Sequence, residues 1–289
     1  MGYAPYRGIK ISGNHGSPVE DELTLESPLS ISINGNAFSI TMQTPGDEED
    51  LVIGLLNGEG ILKRNEGIPE LKVIERFDGG SIKTLDVQIS KDLVESRINS
   101  RNLLSVASCG ICGQKEWKEA LGKDQPLSVK TTISGIEIEK MFIEMERKQS
   151  TFLKSGGSHA AAIFDSKFKL MAIREDVGRH NAVDKSVGAL IRKNQIDNAE
   201  FLLVSGRVSY EIIVKCFKAR IPFLAAVSAP SSLAVDYAEE LGITLLAFCR
   251  GESATAYSRV TRLLVMEDLN NKSINLVHLP NRYCITKTE

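Results

Sequence analysis

The sequence has few of the residues that build metal clusters or disulfide frameworks. Its 289 residues include five cysteines, four histidines and one tryptophan. A closed structural zinc site needs four ligands, usually supplied as two close pairs. Only Cys109 and Cys112 form such a pair, so no metal site is predicted. Zinc held by ligands that converge from distant positions is the open alternative.

The sequence also lacks a charge bias and a long apolar run. Its 35 basic residues nearly balance 37 acidic ones, which leaves a formal charge of -2 and argues against a nucleic-acid partner. No apolar run approaches the roughly 20 residues of a membrane span, and no secretory signal is visible. We therefore expect a cytoplasmic protein without a membrane partner, whose cysteines are thiols.

The cysteine pair is the strongest chemical feature that is present. Cys109 and Cys112 are each followed by a glycine, in the stretch Ser108 to Gly113. Glycines keep such a loop open, so both thiols stay reachable and backbone N–H groups can stabilise a thiolate. The pattern fits thiol-disulfide exchange, zinc coordination or persulfide transport, and the pair alone does not choose among these three chemistries.

Changes of pattern divide the chain. Hydrophobic residues at 42% and charged residues at 25% are typical of a globular protein, and the length suggests two domains. We predict an N-terminal α+β domain over 1–122 that ends in the cysteine loop, and a linker helix region over 123–153. An α/β cofactor-binding domain follows over 154–253, and then a C-terminal extension over 254–289.

The N-terminal pattern predicts strands and one helix. Apolar and polar residues alternate over 29–42 around Asn34 and Gly35, which favours a β-hairpin. A capping threonine, a proline and three carboxylates predict a helix over 44–58. Further strands are expected between 71 and 89.

The second half predicts a sheet covered on both faces. The short apolar runs 201–204, 223–227 and 244–248 show no alternation and are separated by helical patterns. A small, polar loop follows each run, and two of these loops carry Arg207 and Arg250. Ligands bind at the carboxyl ends of parallel strands, so three such loops favour a nucleotide-like ligand over ordinary turns.

A charged segment follows an earlier strand, from Arg174 to Asn181. Arg174 and Arg179 can bind anions, and His180 can transfer protons near neutral pH. The equally weighted alternative is an ion-pair network that braces the two domains.

These motifs together resemble the formate dehydrogenase accessory sulfurtransferase family, known as FdhD. The matching stretches are Asn34-Gly35 through Glu59-Gly60, Ser108 to Gly113, Arg174 to Lys185, Ser205 to Glu211, Ser228-Ala229-Pro230 and Phe248 to Gly251. They cover roughly residues 25 to 253.

The resemblance implies a sulfurtransferase of the persulfide-carrier type. A cysteine desulfurase would supply sulfur, and the acceptor would be the molybdenum cofactor, a bis(molybdopterin guanine dinucleotide), destined for the formate dehydrogenase catalytic subunit. It also implies a homodimer and a C-terminal domain similar to the cytidine deaminase fold. The alternative is a chaperone that binds and delivers the cofactor without moving sulfur.

By position, the resemblance makes Cys109 the persulfide carrier and Cys112 its helper. The stretch Phe248, Cys249, Arg250, Gly251, Glu252 and Ser253 matches the family's cofactor-binding segment. The other expected cofactor-binding residues are Arg179, His180, Arg207 and Ser228. Their cationic and polar groups suit the anionic arms of such a cofactor.

Overall fold

The computed structural model describes residues 2–64, 66–90 and 125–264. The predicted sulfur-carrying residues Cys109 and Cys112 lie outside these described ranges. The described chain forms a mixed α/β fold with two principal sheets and two additional two-stranded pairings.

The chain begins with a long hairpin that the sequence pattern does not predict. Strand β1 spans Tyr3–Ser12 and β2 spans His15–Thr24, paired antiparallel along their whole length. Most of both strands is exposed, so neither strand carries the regular alternation that marks a half-buried strand.

The first principal sheet has the order β4-β3-β6-β5. Its strands are β3 (Ser27–Ile33), β4 (Asn36–Gln43), β5 (Glu70–Arg76) and β6 (Ile82–Gln88). The predicted turn between β3 and β4 is confirmed, because Asn34 and Gly35 both have positive φ. Helix α1 (Glu48–Gly58) follows and lies against the face that carries Leu29 and Ile31.

The second principal sheet has six strands in the order β13-β12-β11-β10-β8-β9. They are β8 (His159–Asp165), β9 (Leu170–Asp176), β10 (Ala199–Val204), β11 (Phe223–Ala226), β12 (Thr244–Arg250) and β13 (Ser253–Ala256). The three predicted apolar strands β10, β11 and β12 are parallel neighbours. The short strands β7 (Ile133–Ser134) and β14 (Leu263–Leu264) pair separately.

Helices cover this sheet on both faces, as the absence of alternation in its central strands predicts. One face packs against α4 (Arg179–Arg192), α5 (Tyr210–Lys218) and α6 (Ser232–Leu241). The other packs against α2 (Gly135–Arg147), and the short helix α3 (Ser150–Ser155) follows α2. Within the described ranges, none of the helices is long and apolar enough to cross a membrane.

Helix α2 belongs to the region that the sequence assigns to a linker. Ser134 and Glu137 form the capping box that starts it. Its apolar stripe, which includes Met141 and Phe142, is buried against Phe164 and Phe201 of the sheet. The helix therefore forms a layer of the second unit, because its buried face completes that core.

Two glycines allow α1 and α4 to cross closely. A Cβ built on Gly54 would lie 1.9 Å from the carbonyl oxygen of Asp184, and one on Gly188 would lie 1.9 Å from that of Asp50. Real Cβ atoms are not found so close to backbone. The two predicted domains therefore share one continuous core, which includes residues from both.

Candidate functional site

The candidate site lies at the carboxyl ends of the parallel strands. Strand β8 is antiparallel to both β9 and β10, so the start of β8 and the end of β9 lie at this same edge. The loops here bond to one another: Ser205 Oγ accepts from Ala160 N at 2.9 Å, and Ser228 O accepts from Phe248 N at 3.3 Å. The loops that follow β10, β11 and β12 therefore lie together on one surface of the second sheet.

A buried polar network fixes the loop that leads into α4. Asp176 and Lys185 are almost fully buried, and Lys185 Nζ lies 2.7 Å from Asp176 Oδ2. The same ammonium donates to Thr44 O at 2.6 Å, while Asp176 accepts from the backbone N–H groups of Thr44 and Gly178. Asn181 also donates to Met42 O at 2.8 Å. The N-terminal unit is therefore tied to this edge.

The segment from Arg174 to Asn181 was expected either to bind a ligand or to form an ion-pair network between the domains, and its residues differ in their surroundings. Arg174 does not face the edge as a free anion binder, because it pairs with Asp47 at 3.2 Å and Asp50 at 2.8 Å. Asp176 and Asn181 belong to the bracing network, whereas Arg179 and His180 begin α4 beside the loops. The ion-pair interpretation is thus confirmed for Arg174 and Asp176, whereas ligand binding by Arg179 and His180 stays a prediction.

Arg179 approaches the loop after β10. A Cβ built on Gly206 would lie 3.3 Å from both Arg179 Cβ and His159 Nδ1. Any side chain at position 206 would therefore crowd this junction. His159 is a site neighbour that the sequence analysis did not select. A single histidine carries no signal of its own, and only the antiparallel pairing of β8 with β10 brings it here.

His180 contacts the start of α5. Its Nε2 lies 3.2 Å from Ser209 Oγ and 3.7 Å from Glu211 Oε2. Burial, followed by the positive charges of Arg179 and Lys215, lowers the pKa of His180 to about 4. The imidazole is therefore neutral near pH 7 and is a weaker proton acceptor than an ordinary histidine.

The second imidazole at the edge behaves similarly. Burial is the main cause that lowers the pKa of His159, and the charges of Arg179 and Arg207 lower it further. The positive charge of the edge therefore resides on guanidinium groups, which stay charged at any ordinary pH.

The arginines at this edge differ from Arg192 in their ion pairing. Among the described residues, no carboxylate lies within ion-pair distance of Arg179, Arg207 or Arg250, whereas Arg192 pairs with Glu49 and Asp50. Arg179 Nε is buried without a hydrogen-bond partner in the part of the chain that the structure describes. Unpaired guanidinium groups on one surface favour an anionic ligand.

The third loop differs from the expected pattern, because β12 turns into the hairpin strand β13 and no helix follows it. Phe248 has φ 54° and is 42% exposed, and its ring centroid lies 6.5 Å from that of Tyr257. Arg250, Gly251, Glu252 and Ser253 are exposed at the turn. Cys249 is buried, and burial raises its pKa to about 11, so its thiol stays protonated.

Comparison with known proteins identifies the family. A model of the FdhD/NarQ family matches residues 24–264, and the chain belongs to that family. It is 37% identical over 275 residues to "Sulfur carrier protein FdhD" of Mycobacterium bovis, covering 91% of this chain and 100% of that protein. It is 36% identical over 259 residues to the protein of the same name from Saccharolobus solfataricus, covering 88% and 96%.

A solved structure shows the same fold. It is a formate dehydrogenase accessory protein from Desulfotalea psychrophila, 22% identical, with a TM-score of 0.70. The alignment covers 91% of this chain and 99% of that chain. The family resemblance drawn from the motifs is therefore confirmed.

Proposed function

We propose that this protein is a sulfur carrier that serves formate dehydrogenase maturation. Membership of the FdhD/NarQ family, together with relatives named as sulfur carriers, is the observation that carries the proposal. The donor is a cysteine desulfurase, and the sulfur passes to a molybdenum cofactor of the bis(molybdopterin guanine dinucleotide) type. The reducing cytoplasm is the compartment that keeps the required thiols available.

The first chemical step is a thiol exchange at Cys109. Its thiolate attacks the outer sulfur of the desulfurase persulfide, so a new S–S bond forms on Cys109 and the desulfurase thiolate leaves. No net oxidation occurs in this step.

The second step releases the sulfur and uses Cys112. Its thiolate attacks Cys109 Sγ, forming a disulfide and expelling the outer sulfur as hydrosulfide, which becomes a ligand of the cofactor's metal. The outer sulfur gains the two electrons that the thiols lose. A cellular thiol reductant then restores the pair.

The proposed cofactor-binding surface lies at the carboxyl ends of the parallel strands of the second sheet. Arg179 and Arg207 would bind phosphate oxygens of the guanine dinucleotide arms, since neither guanidinium group has a carboxylate partner among the described residues. The neutral imidazole of His180 adds an uncharged hydrogen-bonding group beside them. Ser228 and the exposed turn after Phe248 extend this surface on the same edge.

The chain after the cysteines rejoins the described structure at the opposite end of the second sheet. Gln125 O accepts from Arg220, which follows α5, and Leu127 N donates to Leu241 O at the end of α6. Gln125 lies thirteen positions after Cys112, and a chain of that length spans at most ~45 Å. The six-residue strand β10 is only ~20 Å long, so the connecting chain is long enough for the thiols to reach either end of the second sheet.

Intact mass measurement tests the carrier role directly. Pre-reduced protein is incubated with an active cysteine desulfurase and cysteine, for the wild type, Cys109→Ala and Cys112→Ala. We expect added mass of whole sulfur atoms, removable by reductant and absent in Cys109→Ala. No added sulfur in the wild type would refute the proposal.

The alternative function is a chaperone that holds the cofactor without moving sulfur, and the same strand-end surface supports it. That function predicts that a Cys109→Ala/Cys112→Ala double variant still binds the cofactor and still activates formate dehydrogenase. The sulfur carrier predicts retained binding with lost activation. The homodimer and the likeness of the second unit to the cytidine deaminase fold remain predictions within this proposal.

A further inference from the structure

Ser209 and Glu211 lie at the start of α5, beside His180, and the proposed function gives neither of them a role. Ser209 is the residue before the helix and has the extended backbone of an N-cap, with φ -96° and ψ 171°. Serine is favoured at this position because its hydroxyl normally accepts a bond from a backbone N–H group of the first turn. The side chain of Ser209 makes no such bond. Its hydroxyl is therefore free to bond to other side chains.

The next helix of the same sheet shows the ordinary arrangement. Ser231 occupies the same place before α6, with φ -83° and ψ 159°, and its Oγ accepts from Ala234 N at 3.2 Å. Backbone and residue type are thus alike at the two positions. The difference lies in the neighbouring side chains, because His180 Nε2 is 3.2 Å from Ser209 Oγ and 3.7 Å from Glu211 Oε2.

The carboxylate of Glu211 takes the hydroxyl proton of Ser209. Burial raises the pKa of Glu211, but hydrogen bonds from Ser209 and from its own backbone N–H contribute to a net lowering, so the group is ionised near pH 7. An ionised carboxylate can only accept hydrogen bonds, and Ser209 has a single O–H to donate. The bond between Ser209 and His180 is therefore donated by the imidazole.

This arrangement fixes the tautomer of His180. A neutral imidazole has one N–H and one lone pair, so a proton on Nε2 leaves Nδ1 as an acceptor. The side chain is 17% exposed, and no described residue bonds to its Nδ1. A phosphate oxygen offers lone pairs and is a poor partner for another acceptor. Nδ1 therefore suits an N–H or O–H group of a ligand at this surface.

We propose that Ser209 and Glu211 are positioning residues that hold the proton of His180 on Nε2, so that Nδ1 accepts a hydrogen bond from the nucleoside part of the ligand. The arginines of the surface then bind phosphates, while His180 distinguishes a nucleotide from a bare diphosphate. The inference rests on the proposed function for the identity of the ligand, a cofactor with guanine nucleotide arms.

Long-range proton–nitrogen NMR with isotope-labelled histidine reads the tautomer without any ligand. The spectrum of His180→Gln assigns the signal, and we expect the wild type to have its proton on Nε2. Glu211→Gln keeps an acceptor oxygen and should give the same tautomer. In Glu211→Ala the hydroxyl of Ser209 loses its acceptor and can donate to Nε2, so Nδ1 should be protonated in part of the molecules.

Calorimetry with GDP tests the consequence for binding. By charge alone, removing a carboxylate beside a cationic surface tightens the binding of any anion. We expect the opposite for Glu211→Ala, a GDP affinity weakened about fivefold by one lost hydrogen bond, whereas Glu211→Gln should bind at least as tightly as the wild type. Glu200→Ala removes a carboxylate at the other end of β10 and should bind like the wild type.

Inorganic pyrophosphate is the matched ligand, because it has the phosphates and none of the nucleoside donors. Glu211→Ala should bind it at least as tightly as the wild type does. The loss of GDP affinity should disappear with 2′-deoxy-GDP if the donor is the ribose 2′-hydroxyl, and with inosine diphosphate if the donor is the amino group of the base.

Three results overturn the inference: a proton on Nδ1 in the wild type, a Glu211→Ala variant that binds GDP as tightly as the wild type, or one that binds pyrophosphate as weakly as GDP. A wild type that does not bind GDP at all would overturn the proposed cofactor surface together with this inference. Sulfur loading is read separately by intact mass, so the carrier role is decided independently.

Discussion

Replacing Lys185 by methionine tests the polar network behind the candidate site. Lys185 is 1% exposed and Asp176 is 0% exposed, and the ammonium is the cation paired with this carboxylate. In Lys185→Met, Asp176 keeps the N–H donors of Thr44, Gly178 and Asn181 but loses that charge. Breaking a buried pair from one side costs about 3–5 kcal/mol, out of a total stability of about 5–15 kcal/mol.

The assay is urea unfolding of the wild type, the single variant and Asp176→Asn/Lys185→Met at pH 7. The double variant removes both charges and keeps one acceptor oxygen for the N–H donors around position 176, so we expect it to recover part of the loss. The m value should be the same for all three proteins, which would show that the variants change stability and not the surface exposed on unfolding. A single variant that costs under about 1 kcal/mol, or a double variant no more stable than the single one, would refute the reasoning.

Three further changes give measurable outcomes. The pKa of His180 is about 4 in the folded protein and about 6.5 in the unfolded chain, so the free energy of unfolding falls as the pH drops from 6.5 to 4. His180→Gln should remove up to about 3 kcal/mol of that loss, measured by urea unfolding at several pH values. Equal pH dependence of stability in the wild type and the variant would contradict this. Gly188→Ala should cost more than about 2 kcal/mol of unfolding free energy, whereas Gly67→Ala, with open space around it, should stay within about 0.5 kcal/mol. Arg207→Ala should weaken GDP binding about tenfold or more by calorimetry, with Arg76→Ala as an unaffected control; equal affinities would exclude Arg207 from the anion site.

Local patterns predicted most elements correctly because their causes are local. The turn at Asn34 and Gly35 needs only two residues that accept positive φ. The strands at 201, 223 and 244 are apolar without alternation because both of their faces are covered.

The misread elements depend on contacts between distant segments. The helix after Ser134 has an amphipathic pattern, but that pattern does not say which surface its apolar stripe will meet. The N-terminal hairpin escaped prediction because exposure of both faces removes the periodicity on which strand prediction relies. The sequence alone does not show which of Arg174 and Arg179 forms ion pairs. The structure shows that Arg174 pairs with Asp47 and Asp50, which lie at the start of α1.

The sequence by itself determined most of the elements after the N-terminal hairpin, the family and the chemical character of the strand-end loops, since these follow from short-range spacing and residue type. Only the tertiary structure decided which charged groups are neutralised by partners and which remain available at the site. That choice depends on strand order and on the close crossing at Gly54 and Gly188, which set distances between residues far apart in the chain. Electrostatic interaction depends on those distances and on burial, and neither quantity is encoded in local spacing.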